Sequence, residues 1–202
     1  MIIKVCGLKN RIQIEQLDQI HSIDWLGSIF YEKSKRYASK VVGNISNSKR
    51  VGVFVNETVE NVLKIILDNE LDIVQLHGNE SPMDCFKLKE KTTVVKTFGI
   101  DDSFDFKQLE AYKDRVDYFL FDTKTSDYGG SGKSFNWAVL QKYTMKTPFL
   151  LSGGINTESV NAIKSIHHPM FAGVDLNSGF ENAPGDKNVQ LIQQFITELI
   201  DK

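Results

Sequence analysis

The sequence predicts an α/β fold in which eight parallel strands alternate with helices and close into one compact (β/α)₈ barrel, the TIM barrel. Eight short apolar, β-branched or aromatic runs have the length of strands. The stretches between them place apolar residues at helical spacing. No linker, low-complexity segment or shift of composition divides the 202 residues. With 41% apolar residues, the chain has material for one good core, so we expect a single domain over residues 1–202.

The predicted strands follow one another along the whole chain. They are Ile2–Val5, Trp25–Phe30, Val51–Val55, Asp72–Leu76, Thr93–Phe98, Asp117–Phe121, Pro148–Leu151 and Phe171–Leu176. The clearest helical stripes are Val59, Val62, Leu63, Ile66 and Val189, Ile192, Ile196, Leu199. Apolar strands joined by helical crossovers indicate parallel pairing, because tight hairpins cannot join parallel strands. An open doubly wound sheet is the rival fold, and the count of eight favours the barrel, for which about 200 residues is the lower limit.

Composition narrows the classes of function. Lys and Arg number 24 against 26 Asp and Glu, for a net charge of −2, so we expect no nucleic-acid partner. The opening apolar stretch is too short for a signal peptide, and no run approaches the roughly 20 apolar residues of a membrane span. The two cysteines, Cys6 and Cys85, have no metal-ligand or disulfide spacing. These features predict a cytoplasmic protein with free thiols and no membrane partner.

Two side chains stand out at strand ends, where the loops of such a barrel form one mouth. Cys6 ends the first predicted strand before Gly7, and Asp122 ends the sixth. A buried cysteine without a role, or an aspartate that only caps a turn, is the ordinary interpretation of each residue alone. The apolar residues before Asp122 should raise the pKa of its carboxyl and allow it to donate a proton near neutrality. Together the two side chains predict one acid and one base.

Several glycine-rich segments invite a phosphate-binding interpretation. GGSGKS resembles a nucleotide-binding P-loop, but that motif requires glycine where Asp127 stands. We therefore predict that the loop Gly129 to Gly132 is a lid or a substrate contact. Ser152–Ile155 and Asn177–Gly179 follow the last two strands, where barrels often bind phosphate through backbone N–H groups.

The remaining polar candidates are less specific. Arg36 is either a solvated cation or a fork for a carboxylate on the ligand. His77 fits the edge of the core better than a catalytic role, and Cys85 fits the apolar face of a helix. We expect Lys4 to point away from Cys6, which leaves no identified cation for a thiolate. Clustered metal ligands are absent from the sequence, so no metal is predicted.

Seven segments of the chain resemble phosphoribosylanthranilate isomerases. They are KVCGLKN, YEKSKRY, RVGVFVNE, VQLHGNE, FDTKTSDYGGSGKSFNW, LLSGGI and GVDLNSGFENAPGDKN. The family commonly has Thr in place of Lys9 and Pro in place of Lys35, two differences near the expected ligand. The resemblance implies an Amadori rearrangement in tryptophan biosynthesis with no cofactor or metal.

The same resemblance implies a role for each candidate residue. Cys6 would be the general base and Asp122 the general acid, while Arg36 would hold the anthranilate carboxylate. Asp175 would contact sugar hydroxyls. The phosphate would be bound by the backbone around Gly154, Ser178 and Gly179.

Two other functions stay open at this point. One is another sugar-phosphate barrel isomerase or epimerase, which would want histidine ligands at strand ends or an aspartate in place of Cys6. The other is a phosphate-ligand binding module without catalysis. The expected partner is a small phosphorylated substrate, and the protein is expected to be a monomer or a homodimer.

Overall fold

The computed structural model describes residues 1–124 and 135–201 and confirms the predicted barrel. Eight parallel strands pair in chain order, and β1 closes the ring against β8. The strands are β1 (Ile2–Val5), β2 (Trp25–Ile29), β3 (Lys49–Phe54), β4 (Ile73–Leu76), β5 (Thr93–Ile100), β6 (Tyr118–Thr123), β7 (Phe149–Leu151) and β8 (Phe171–Leu176). All eight predicted strands are therefore present, within two residues of the predicted ends.

The largest difference in strand length lies on the side of the barrel that carries Asp122. β5 continues to Ile100 because Gly99 pairs with Asp122 and Ile100 with Thr123. Asp122 is therefore held inside β6 by strand pairing and does not lie in a loose loop.

The segments outside the barrel strands contain short helices and 3₁₀ turns. The helices are α1 (Arg11–Asp18), α2 (Val59–Asn69), α3 (Pro82–Lys89), α4 (Val160–Lys164) and α5 (Val189–Ile200), with 3₁₀ turns at Phe106–Tyr112, Trp137–Lys142, Thr157–Ser159 and Ser178–Phe180. The two predicted stripes lie on α2 and α5. On α5, Ile192, Phe195, Ile196 and Leu199 are buried against the barrel, which explains the helical spacing of apolar residues there.

The expectation of a helix in every crossover is wrong for residues 30–48, which contain no helix. This segment is rich in Lys, Ser and Asn and lacks an apolar stripe that helix formation would bury. It is held by a side chain of α1 instead. The carboxylate of Asp18 accepts backbone N–H groups from Ser46, Asn47 and Ser48 at 2.8 to 3.2 Å.

The inside of the barrel changes character along its axis. Near the amino ends of the strands, an apolar cluster fills it, made of Trp25, Val51, Ile73, Val95, Leu120 and Leu150. Towards the carboxyl ends the buried side chains become polar, and Lys4, Gln75 and Asp175 are at most 5% exposed. The core therefore ends partway up the barrel and leaves a polar floor beneath the mouth.

A small hairpin after β8 was not predicted. It consists of β9 (Glu181–Ala183) and β10 (Asp186–Lys187), which pair antiparallel. The hairpin folds back near the mouth and brings two charged side chains, Glu181 and Lys187, to its rim. Within the described ranges, the model contains no helix with the length and apolar character needed to cross a membrane.

Candidate active site

The mouth of the barrel holds a cavity that opens to solvent. Cys6 and Asp122 both line it, although they come from β1 and β6, on different sides of the ring. Other lining residues are Ile29, Tyr31, Ser34, Arg36, Val53, Val55, Gln75, His77, Ser152, Gly153, Gly154, Ile155, Asp175, Asn177 and Ser178. A single ligand in this cavity can contact both the thiol and the carboxyl.

Cys6 continues β1 beyond its last residue, since its N–H donates to the carbonyl of Leu176 at 2.9 Å. The residue is only 3% exposed. Burial raises the pKa of the Cys6 thiol above its usual value, and the nearby Lys4 ammonium opposes that effect. In the free protein Cys6 is therefore mainly a thiol, with one strong positive charge available to its thiolate.

The expectation that Lys4 points away from Cys6 is wrong. Side chains alternate along a strand, so residues 4 and 6 share a face, and here that face is the inside of the barrel. Lys4 Nζ lies 2.8 Å from Asp175 Oδ1, and both side chains are almost fully buried. Asp175 therefore faces the cavity, as its predicted sugar contact requires, but it is already paired to a lysine.

Asp122 combines a fixed orientation with a perturbed charge. The N–H of Thr123 donates to Asp122 Oδ1 at 2.8 Å. Burial raises the pKa of Asp122 to about 6, and the hydrogen bond from Thr123 opposes the shift only in part. The carboxyl is therefore protonated in an appreciable fraction of molecules near neutral pH, as expected from its apolar neighbours in the sequence.

The loop after β7 packs directly against Asp122. Gly153 has a φ of +83°, and a Cβ at this position would lie 2.5 Å from Asp122 Oδ1. Such a position accepts only glycine, because both the left-handed backbone and the close approach exclude a side chain. The second glycine of this loop, Gly154, lines the cavity.

His77 contacts the acid from the neighbouring side. Its Nε2 lies 3.6 Å from Asp122 Oδ2, and its Nδ1 is 3.2 Å from Gln75 Nε2. Burial lowers the pKa of His77 to about 4, so the ring is neutral at pH 7 and the contact with Asp122 is not an ion pair. His77 therefore lies in the mouth, closer to the acid than its sequence position alone indicates.

Arg36 lines the cavity but is anchored by a partner that the sequence did not suggest. Its guanidinium donates from Nη2 at 2.6 Å and from Nε at 2.9 to 3.0 Å to the carboxylate of Glu181. Lys187 Nζ lies 2.7 Å from the same carboxylate. Glu181 and Lys187 both come from the hairpin β9–β10, so the hairpin sets the position of Arg36 at the rim.

The two predicted phosphate segments meet beside each other after β7 and β8. Gly154 and Ser178 line the cavity. Gly179 is not among the lining residues, and its Cα packs so closely against the carbonyl of Ile155 that a Cβ would collide with it. The predicted loop Gly129 to Gly132 lies outside the described residues.

No group of three or more His, Cys, Asp or Glu side chains within residues 1–124 and 135–201 has a geometry that could hold a metal ion. Sequence reasoning missed Lys4, Glu181 and Lys187 as parts of the site. The alternation of side chains along β1 was a usable signal for Lys4, since an inward Cys6 implies an inward Lys4. The pairing of Glu181 and Lys187 with Arg36 carries no such signal, because 145 residues separate Arg36 from Glu181.

Comparison with known proteins points to one family. The sequence profile of the N-(5′-phosphoribosyl)anthranilate (PRA) isomerase family matches residues 3–198. An N-(5′-phosphoribosyl)anthranilate isomerase from Parabacteroides distasonis is 45% identical over 208 residues, covering 99% of this chain and 94% of the relative. The enzyme of the same name from Phocaeicola vulgatus is also 45% identical, over 100% of this chain and 99% of its own.

Solved structures agree with the sequence matches. The crystal structure of phosphoribosyl anthranilate isomerase from Thermotoga maritima superposes with a TM-score of 0.83 at 33% identity, covering 98% of both chains. A crystal structure of the same kind of enzyme in complex with reduced 1-(o-carboxyphenylamino)-1-deoxyribulose 5-phosphate has a TM-score of 0.80 at 30% identity, again over 98% of both chains. Together with the barrel and its polar mouth, these matches show that the chain belongs to the N-(5′-phosphoribosyl)anthranilate isomerase family.

Proposed function

We propose that Cys6 and Asp122 carry out the reaction of this isomerase of tryptophan biosynthesis. The reaction converts N-(5′-phosphoribosyl)anthranilate to 1-(2-carboxyphenylamino)-1-deoxyribulose 5-phosphate. The observation that carries the proposal is that one cavity is lined by both a thiol and a carboxyl whose pKa is raised to about 6.

The rearrangement needs one proton donor and one proton acceptor. Opening the furanose requires a proton on the ring oxygen as the C1–O bond breaks, and the nitrogen lone pair then forms a protonated imine at C1. Removing the proton on C2 then moves the electrons of that C–H bond into a C1–C2 double bond and onto nitrogen. Tautomerisation of the resulting enol yields the amino-ketone, so the atoms balance without an oxidant, a reductant or a metal.

Asp122 suits the role of donor. A carboxyl with a pKa near 6 is still partly protonated at pH 7, and it becomes an anion readily once it has released its proton. The N–H of Thr123 donates a hydrogen bond to the resulting carboxylate, and the ring of His77 lies next to it.

Cys6 suits the role of acceptor only as a thiolate. Its burial favours the thiol, so the reactive form is a minor state in which the pair holds its proton on Asp122 and not on sulfur. The single proton shared between these two groups is the one that the first step consumes.

The groups around the pair suit the two ends of the substrate. Arg36, held by Glu181 on one side, offers its remaining N–H groups to the anthranilate carboxylate. Asp175 accepts hydrogen bonds from sugar hydroxyls, while the backbone around Gly154, Ser178 and Gly179 binds the phosphate. The relative solved with the reduced deoxyribulose 5-phosphate compound binds a ligand of this chemical type.

The family membership also supports proposals for the oligomeric state and the cellular compartment. A solved structure at 30% identity is described as generated monomers of the dimeric phosphoribosylanthranilate isomerase from Thermotoga maritima, and we propose a monomer or a homodimer for this chain. We propose that the enzyme works in the cytoplasm, where the soluble intermediates of amino-acid synthesis occur.

An isomerase assay on purified protein tests the catalytic roles. Phosphoribosylanthranilate made in situ is fluorescent, and its conversion is followed by the change in emission. We expect Cys6→Ala and Asp122→Asn each to lower turnover by about 10² to 10⁴. Cys85→Ala is the matched control for loss of a thiol, since Cys85 is buried in α3 away from the cavity, and it should keep wild-type turnover. Wild-type-like turnover in either site variant, or sensitivity to a chelator, would contradict the proposal.

A further inference from the structure

We propose that Lys4 is a positioning residue that stabilises the thiolate of Cys6, with Asp175 limiting the strength of that effect. The effect of Lys4 on the ionisation of Cys6 does not depend on what the protein catalyses. Its importance for turnover rests on the proposed role of Cys6 as base.

The geometry brings the two side chains together on one face of β1. Lys4 is wholly buried inside the barrel, on the same face of β1 as Cys6. Gly27 on the neighbouring strand makes the space for both, since a Cβ there would lie 3.0 Å from Cys6 Sγ and 3.4 Å from Lys4 Cε. A larger residue on β2 would push the sulfur and the lysine chain apart.

Three charged groups face Cys6 from the elements packed around it. Lys4 belongs to β1, Asp175 to β8 and Lys187 to the hairpin strand β10, while β2 contributes the uncharged Gly27. The two lysines favour the thiolate, and Asp175 opposes it. Lys187 is already close to Glu181 at 2.7 Å and to Asn177 Oδ1 at 2.8 Å, so Lys4 is the stronger influence on the sulfur.

A second buried lysine, Lys96, offers a comparison within this protein. Lys96 lies 3.1 Å from Glu80, and it also donates to the carbonyls of Leu76, Gly78 and Thr97 at 2.8 to 3.3 Å. None of these four partners lines the cavity. Lys4 instead donates to Asp175 and lies beside Cys6, two groups that do line it.

Stability alone is a poor reason for a buried ion pair at this place. Replacement of such a pair by apolar residues of similar volume is often neutral or stabilising, because desolvation costs about as much as the attraction returns. The apolar layer directly below, at Trp25 and Leu150, shows that the barrel accepts hydrophobic side chains at its axis. The position of Lys4 beside the sulfur is explained if its ammonium stabilises the thiolate of Cys6.

The proton affinity of Cys6 gives the direct test. The chain has two cysteines, so Cys85→Ala leaves Cys6 as the one thiol, and the ¹³C shift of its labelled Cβ reports its ionisation by NMR. In this background Lys4→Met should raise the pKa of Cys6 by about 1 to 3 units. Lys96→Met, the matched loss of a buried lysine, should leave it unchanged. An unchanged pKa in the folded Lys4→Met protein, or an equal shift in both variants, would overturn the proposal.

If Lys4→Met does not fold, a second variant with the opposite expected effect on the pKa of Cys6 keeps the proposal testable. Asp175→Asn keeps the lysine and removes the carboxylate that competes for it, so the pKa of Cys6 should fall. A rise or no change would contradict the coupling.

Kinetics separate this proposal from the function on which it rests. If Cys6 is the base, kcat/KM of the Lys4→Met variant near neutral pH should fall about tenfold for each unit by which the thiol pKa rises. A shifted thiol pKa with unchanged kcat/KM would keep the coupling and overturn the role of Cys6 as base.

Discussion

The pH dependence of kcat/KM offers a demanding test of the acid and the base. The reaction needs Asp122 protonated and Cys6 ionised, which is one proton on the pair. Burial raises the pKa of Asp122 to about 6 and that of Cys6 above its ordinary 9.0. We therefore expect kcat/KM to rise tenfold per unit up to about pH 6, to stay level to above pH 9, and to fall beyond, since each limb reports a group in the free enzyme.

The same two shifts set the population of the reactive state. Because the pKa of Cys6 lies above that of Asp122, the shared proton lies mainly on sulfur, and the state with Asp122 protonated and Cys6 ionised is a small minority. Replacing Asp122 with Asn removes the group that titrates near pH 6. The rate of the variant should then be about 10² to 10⁴ lower and should climb tenfold per unit from pH 5 to the pKa of Cys6, with no level region.

The pH profiles of the wild type and of Asp122→Asn are measured as initial rates by fluorescence. Substrate is kept far below KM, and the buffers share one ionic strength. Asp101→Asn is the matched control, since Asp101 pairs with Lys124 outside the cavity at a half-exposed position, and its profile should match the wild type. An Asp122→Asn profile that keeps a break near pH 6, or a rate within tenfold of the wild type, would refute the assignment of Asp122 as the acid.

Three further substitutions probe the rim, the loop after β7 and the crossover without a helix. Arg36→Ala should raise KM about 10- to 100-fold with little effect on kcat, whereas loss of the neighbouring charge in Lys35→Ala should not, and an unchanged KM would argue against the carboxylate contact. Gly153→Ala should lower kcat on the order of 100-fold by displacing the acid. Gly43→Ala, with the same φ of +83° at a position that does not line the cavity, should lose stability but keep its turnover. Asp18→Asn should cost about 2 to 3 kcal/mol at pH 7 by urea unfolding. Backbone hydrogen bonds outweigh burial and lower the pKa of Asp18, so its carboxylate gives its full stability above the unfolded pKa and loses it as the pH falls through the lowered folded pKa. The difference between wild type and variant should therefore shrink on acidification, and a difference that stays constant would contradict the reasoning.

The strands were predictable because each is a short apolar run that must be buried on both faces of a parallel sheet. The crossover over residues 30–48 was harder, since no local pattern shows that α1 supplies its hydrogen bonds through Asp18. The extension of β5 to Ile100 likewise depends on pairing with β6 and not on its own residues.

The site likewise contains residues that the sequence could place and contacts that it could not. Cys6 and Asp122 could be placed at one mouth because the carboxyl ends of all strands in such a barrel meet on one side. The partners of Arg36 and Asp175 could not be predicted, since Glu181 and Lys4 are brought to them only by closure of the ring and by the hairpin β9–β10.

The sequence by itself determined the eight-strand barrel, the side of it that carries the chemistry and the family to which the chain is similar, because these depend on periodic apolar runs and on residues beside strand ends. The tertiary structure decided which charges face the thiol and the carboxyl. Lys4 and Asp175 are 171 residues apart and meet because β1 pairs with β8, and burial inside that closed ring is what raises the pKa values of Cys6 and Asp122. Proton affinity at this site is therefore a property of the closed barrel and not of any local segment.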